Sequence, residues 1–205
     1  MKLIIDAGHY IGDKNRTALY GDFTETDLTI KIRDALKPLL ADRQVLCIPD
    51  LLNLKESITF VNERATAGDF AVSIHLNAYT DSRTRGTEAY YWTDPRYAEV
   101  FAREVAEHLL VPNRGAKPDS QTYYGELGWL RRLNCPSVLV ECLYLTNELD
   151  RNALFVPDGI EAAARGIASA INILFPQPKE DKSLLLEAIA NILKKVGEIL
   201  NSLKK

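Results

Sequence analysis

Short apolar runs of strand length recur along this chain, and longer segments with helical spacing separate them. Residues 2–6 (KLIID), 45–48, 70–75, 87–92 and 137–141 (SVLVE) are rich in Leu, Ile, Val and aromatic residues, as strands require. Between them, residues 26–40 repeat apolar Leu28, Ile32, Leu36 and Leu39 on one helical face. Residues 55–67 form a second helical pattern, stopped before Gly68. Asp94-Pro95 opens a third, capped by Thr93 or Asp94 and running to about Leu110, and residues 158–174 form a closing helix. Residues 111–136 carry no clear period and read as loop. Strands separated by helices of this length predict an α/β fold: a single, mostly parallel sheet sandwiched between helices.

The chain has 205 residues, enough for one full-sized core and a short appendage. With 25 Lys and Arg against 28 Asp and Glu, its net charge of −3 offers no sequence-wide attraction for nucleic acid. Cys47, Cys135 and Cys142 form no C-x-x-C pair, and their odd number reads as buried thiols in a reducing compartment. The N-terminal apolar run, Leu3, Ile4 and Ile5, is too short for a signal-peptide core, and no stretch has transmembrane length. The expectation is a protein made in the cytoplasm that reaches any outside target only after release.

In open α/β sheets, ligands sit beyond the carboxyl ends of the strands. The first strand runs into Asp6-Ala7-Gly8-His9, the third ends at His75 and the fifth at Glu141, while Glu25 stands at the start of the first helix. If these strands are parallel, all four groups face one crevice. Two imidazoles and a carboxylate form a His₂Glu set, the donor type of zinc sites that keep one position open. Competing readings stand beside this one. Glu25 also suits a helix N-terminus electrostatically. Glu141 has Arg114, Arg131 and Arg132 as candidate ion-pair partners. His108, near a helix C-terminus, reads as a solvated residue.

Six segments together resemble the zinc-dependent N-acetylmuramoyl-L-alanine amidases of autolysins and phage endolysins: "DAGH" (6–9), "ETDLT" (25–29), "SIHLNA" (73–78), "GTEAYY" (86–91), "NRGAK" (113–117) and "PSVLVECLYLTN" (136–147). The resemblance covers roughly residues 1–175. It implies zinc (Zn2+) held by His9, Glu25 and His75, Glu141 as the catalytic carboxylate, and peptidoglycan as substrate. Tyr10-Ile11 and Cys142-Leu143 depart from the Gly-Gly and Gly-Phe pairs common in the family, which changes the walls of the cleft. On the substrate side, Asn77 either orients a ligand or makes a turn. Glu88 matches an acidic position of the family, and Arg114 either meets a peptide carboxylate or is solvated. Two other functions fit the same residues: a zinc peptidase or deacylase acting on another amide, and a non-catalytic wall-binding module.

The expected domains are a catalytic unit over 1–175, a Pro-rich charged linker over 176–182 and an amphipathic helix over 183–205. In that helix Leu185, Ile189, Ile192, Val196, Ile199 and Leu203 follow heptad spacing, flanked by Leu186, Leu193 and Leu200. Isoleucine at both seam positions favours a homo-oligomer, trimer or tetramer, over a dimer. The alternatives are docking on the catalytic unit, or lying on a membrane or wall through Lys194, Lys195, Lys204 and Lys205.

Overall fold

The computed structural model describes residues 1–13, 19–20, 23–177 and 182–202. Two compact units result, Met1–Phe175 and Pro176–Lys205. In the first, strands β1 (Leu3–Ala7), β4 (Val45–Cys47), β5 (Phe70–Asn77), β6 (Thr87–Tyr91), β7 (Asn113–Pro118) and β8 (Ser137–Tyr144) form one sheet in the order β4-β1-β5-β8-β6-β7. A separate two-stranded ribbon pairs β2 (Leu19–Tyr20) with β3 (Phe23–Thr24). β4, β1, β5 and β8 are mutually parallel, and β6 runs antiparallel to β8. The sheet is therefore mostly parallel, as the sequence predicts.

Side-chain alternation sorts the strands' residues onto two faces. Leu3, Ile5, Phe70, Val72, Ile74, Leu76, Val138, Val140 and Cys142 point into the larger core. That core is closed by helices α1 (Glu25–Leu39), α3 (Pro95–Leu109) and α6 (Gly159–Leu174). Ile4, Ala71, Tyr90 and Leu139 point the other way, into a smaller core under α2 (Leu54–Asn62) and α4 (Gly128–Arg131). Two short helices cannot cover the whole face. The uncovered part carries Asp6, Ser73, His75, Asn77, Glu88 and Glu141, and becomes a cleft.

Several elements differ from the sequence reading. α2 stops at Asn62 rather than 67, because the Asp69 carboxylate accepts hydrogen bonds from the Thr66 amide (2.9 Å), the Thr66 hydroxyl (3.1 Å) and the Lys2 amide (2.6 Å), folding the chain into a turn. The segment read as loop holds β7, a 3₁₀ turn over Asp119–Gln121, and α4. β7 (NRGAKP) has no apolar alternation, so only its pairing with β6 reveals it. Helix α5 (Glu148–Phe155) follows β8 unannounced. Its Asp150 is fully buried and accepts from the amides of Gly86 (2.6 Å) and Tyr144 (3.0 Å), tying the start of β6 to the end of β8. Of the three free thiols, Cys47 is only half-buried, because its strand lies at the sheet's edge.

The second unit contains α7 (Lys182–Ser202), which exposes Leu186, Ile189, Ile192, Leu193, Val196 and Ile199. The side chains of Leu185 and Leu200, and Leu203 altogether, lie outside the described residues, as does most of the charged linker. Among the described residues no helix is long and apolar enough to cross a membrane.

Candidate active site

β1, β5 and β8 are parallel neighbours, so the groups read at their ends do meet. One correction applies: neither His75 nor Glu141 is terminal. β5 continues to Asn77 and β8 to Tyr144, so both side chains project from inside a hydrogen-bonded ladder. They are register partners of each other, and Glu141 is also the partner of Glu88 across the antiparallel pair. His75, Glu141 and Glu88 therefore stand in one row on one face.

Glu25 enters from the side, at the first position of α1. Thr24 caps the helix in a reciprocal box with Asp27, which fixes where the helix begins and hence where Glu25 points. Its carboxylate is buried, with Oε1 3.1 Å from His75 Nδ1 and accepting from the Leu76 amide at 3.0 Å. Oε2 lies 3.1 Å from His9 Nε2. Burial alone would raise this carboxyl, but hydrogen bonds from His75 and His9 outweigh it and hold it near 2. Glu25 is thus more than a helix-terminal charge.

His9 adopts a left-handed backbone (φ 68°), uncommon for a residue with a Cβ and on the order of 1–3 kcal/mol uphill. That turn aims Nε2 back at Glu25, while Nδ1 lies 3.5 Å from Asp13 Oδ2. A carboxylate behind an imidazole is a common support for a metal ligand. Beside it, Gly8 has no side chain for a steric reason: a Cβ there would stand 2.4 Å from Cε1 and Nε2 of His75. The His75 ring therefore lies in a cradle that only glycine leaves open.

His9, Glu25 and His75 offer ligand atoms all within 4.8 Å of one another, and among the described residues they form the only such group that could hold a metal ion. Two imidazoles and a carboxylate suit a borderline divalent cation such as zinc. The strained His9 and the glycine cradle show a backbone shaped around these donors, so the residues present fit the ion.

Glu141 faces this triad with its Oε2 buried and without a hydrogen-bond partner. Burial pushes its carboxyl up to about 8, opposed by the His75 charge and reinforced by Glu25 and Glu88. Of the three arginines considered as its partners, Arg131 is engaged with Asp119 (2.6 Å) and Arg114 with Glu88 (2.7 Å), and among the described residues no ion pair joins Arg132 to Glu141. His108 lies in the last turn of α3, with Nδ1 2.8 Å from the Glu104 carbonyl, and has no part in the site.

All four groups line a cleft of about 1420 Å³ that also contains Asn77, Glu88, Arg114, Lys117, Tyr123 and Tyr124. Asn77 donates to Glu88 Oε1 (3.0 Å) and accepts from the Ala78 amide, so it serves the row and the turn at once. Sequence reasoning missed Asp6, bonded to Ser73 Oγ (2.6 Å) beneath His75, and also Tyr90 and Lys117 beside Glu88. The alternation rule reaches Tyr90, which shares the parity of Glu88 on β6, whereas β1 carries no site residue that would single out Asp6. Nothing in the sequence pairs Lys117 with Glu88.

This sheet and cleft define the class: the architecture is that of an amidase catalytic domain. The chain superposes on the catalytic domain of CwlV, an N-acetylmuramoyl-L-alanine amidase of Bacillus (Paenibacillus) polymyxa var. colistinus, with a TM-score of 0.72 and 26% identity, covering 84% of this chain and 97% of that one. Residues 3–173 match the N-acetylmuramoyl-L-alanine amidase family, and the chain belongs to it. Curated relatives include the probable cell wall amidase LytH of Staphylococcus saprophyticus, 26% identical and aligned over 74% of this chain and 50% of its own length. The endolysin of Bacillus phage SPP1 is likewise 26% identical, over 82% of this chain and 65% of its own length. The chain thus spans about half the length of the curated relatives it matches.

Proposed function

We propose that this chain hydrolyses the amide joining the lactyl carbonyl of N-acetylmuramic acid to L-alanine in peptidoglycan, with zinc held by His9, Glu25 and His75. The observation that carries this reading is the convergence of those three donors opposite Glu141, in a chain whose family and fold are those of the amidases. Bound zinc would supply a Lewis acid that polarises the amide carbonyl and lowers the pKa of an attacking water to about 7. With a cation bound nearby, whose charge would favour the ionised form, Glu141 would take the proton from the attacking water and deliver it to the departing alanine nitrogen. Its partner-free oxygen and its place in the row beside His75 suit both transfers. Asn77, Glu88 and Arg114 make up the substrate side of the cleft.

Digestion of purified sacculi, with and without a chelator, tests the reading. The expected products are new alanine α-amino groups with no new reducing sugar ends, and the chelator abolishes both their release and the loss of turbidity. New amines on other residues would make the enzyme a peptidase. Chelator-resistant cleavage would remove the metal.

In the second unit α7 joins copies of the chain. Its exposed Ile189, Ile192, Val196 and Ile199 continue heptad spacing, with isoleucine at both seam positions. The full chain is expected to sediment as a trimer or tetramer and residues 1–178 as a monomer. Two monomers would end this assignment.

A further inference from the structure

Glu88 is only 1% exposed, yet its carboxylate takes four donors. Asn77 Nδ2 (3.0 Å) and the Tyr90 hydroxyl (2.6 Å) bond Oε1, while Arg114 Nε (2.7 Å) and the Lys117 ammonium bond Oε2. Two cations therefore share one anion, leaving a local net charge of +1. A single cation would neutralise a buried carboxylate. A second one costs desolvation free energy unless its charge faces something else.

Both cations border the cleft and stay partly open, Arg114 at 33% and Lys117 at 24% side-chain exposure. Arg114 commits only Nε to Glu88, and its terminal nitrogens bond no other carboxylate among the described residues. Its guanidinium carbon lies 5.3 Å from the centroid of the Tyr144 ring, and the Tyr144 side chain also hydrogen-bonds Arg114, so Tyr144 helps to position the fork. A planar fork beside an ammonium is built to receive a carboxylate in two-point contact.

Position gives the ligand. Glu88 is the register neighbour of Glu141, so the cationic pair lies one to two strand spacings from it, about 5–10 Å. An extended peptide advances about 3.3–3.6 Å per residue, so this is the reach of the second or third residue beyond the scissile bond. We propose that Arg114 and Lys117 form a subsite for a carboxylate on the peptide side of the scissile amide, with Glu88 as the buried positioning residue that holds them. The proposal rests on the amidase reading and extends it to stem-peptide specificity: stems with a free carboxylate after L-alanine are preferred over stems in which it is amidated. Lys117 joins the site, and Glu88 acts through its neighbours instead of touching substrate.

Two muramoyl dipeptides test it, N-acetylmuramoyl-L-alanyl-D-glutamate and its α-carboxamide, both with the γ-carboxyl capped as a methylamide, so that they differ in the one free carboxylate of the peptide. Binding of the corresponding free dipeptides to the zinc-loaded full chain is measured by calorimetry alongside turnover. The carboxylate form is expected to win by about 10- to 100-fold in affinity and in kcat/KM, the range for a charge-assisted pair. Arg114→Gln and Lys117→Met each pull that ratio towards one. Glu88→Gln lowers it as well, although it adds net positive charge, because the cations lose their common anchor; a ratio that holds or rises would remove Glu88 from the subsite. Equal binding and turnover of the two wild-type ligands overturns the subsite and leaves the amidase reading intact. Carboxylate preference in binding with neither substrate cleaved does the reverse. The wild-type comparison needs no variant to fold.

Discussion

Replacing Glu141 by glutamine is expected to leave metal content at wild-type level and to cut hydrolysis by roughly 10²–10⁴-fold, the range for loss of a general acid–base. Glutamine keeps the shape and the place in the ladder but cannot carry a proton to the leaving nitrogen. The structural account differs from a mere loss of charge. Glu141 has no arginine to lose, and its buried Oε2 has no hydrogen bond to break. Its folded-state pKa is raised from 4.5 to about 8, so in chelated protein its contribution to stability is fully present below pH 4.5 and is lost as pH rises through 8. The variant removes that loss, and chelated E141Q should melt higher than chelated wild type above pH 8. Activity falls while metal-free stability rises, a combination a purely structural glutamate does not give. Near-normal turnover with full metal would take Glu141 out of the reaction.

Gly8→Ala should weaken zinc binding without replacing any ligand. The backbone at Gly8 is not in the left-handed region, so alanine costs nothing in conformation. The whole effect is steric: the new methyl would stand 2.4 Å from the His75 ring, and either the ring leaves its plane or β1 shifts from β5. The strand is held by the Gly8 amide bonded to the Ile74 carbonyl (2.9 Å), so the ring is the part that gives. A loss of about 10- to 100-fold in zinc affinity is expected, the size seen when a ligand's support is removed. Competition with a chelator of known affinity measures it. Melting of the chelated variant should drop by no more than an overpacked methyl causes, about 1–3 kcal/mol. Wild-type zinc affinity in Gly8→Ala would show that the cradle does not hold the ring.

The sequence made the parallel sheet and the donor set legible because both depend on strong local signals. Apolar runs such as IID and AVSI announce strands wherever the chain is buried on both faces, and a histidine or glutamate in such a run stands out. β7 stayed hidden for the opposite reason. It lies at the edge of the sheet, packs few apolar side chains and reads NRGAKP, so tertiary pairing with β6 makes it a strand. α5 was missed between β8 and α6, since eight residues give too little periodicity to read. The cationic pair on Glu88 depends on bringing β7 alongside β6, and inherits that blindness.

β5 serves two masters along its length. Ile74 and Leu76 plug the larger core while His75 and Asn77 look into the cleft. Because neighbouring residues on a strand face opposite ways, a slip of one position would drive an imidazole into hydrocarbon and expose two aliphatic chains to water. A misregistered chain is thus penalised by the same packing that brings His9, Glu25 and His75 together.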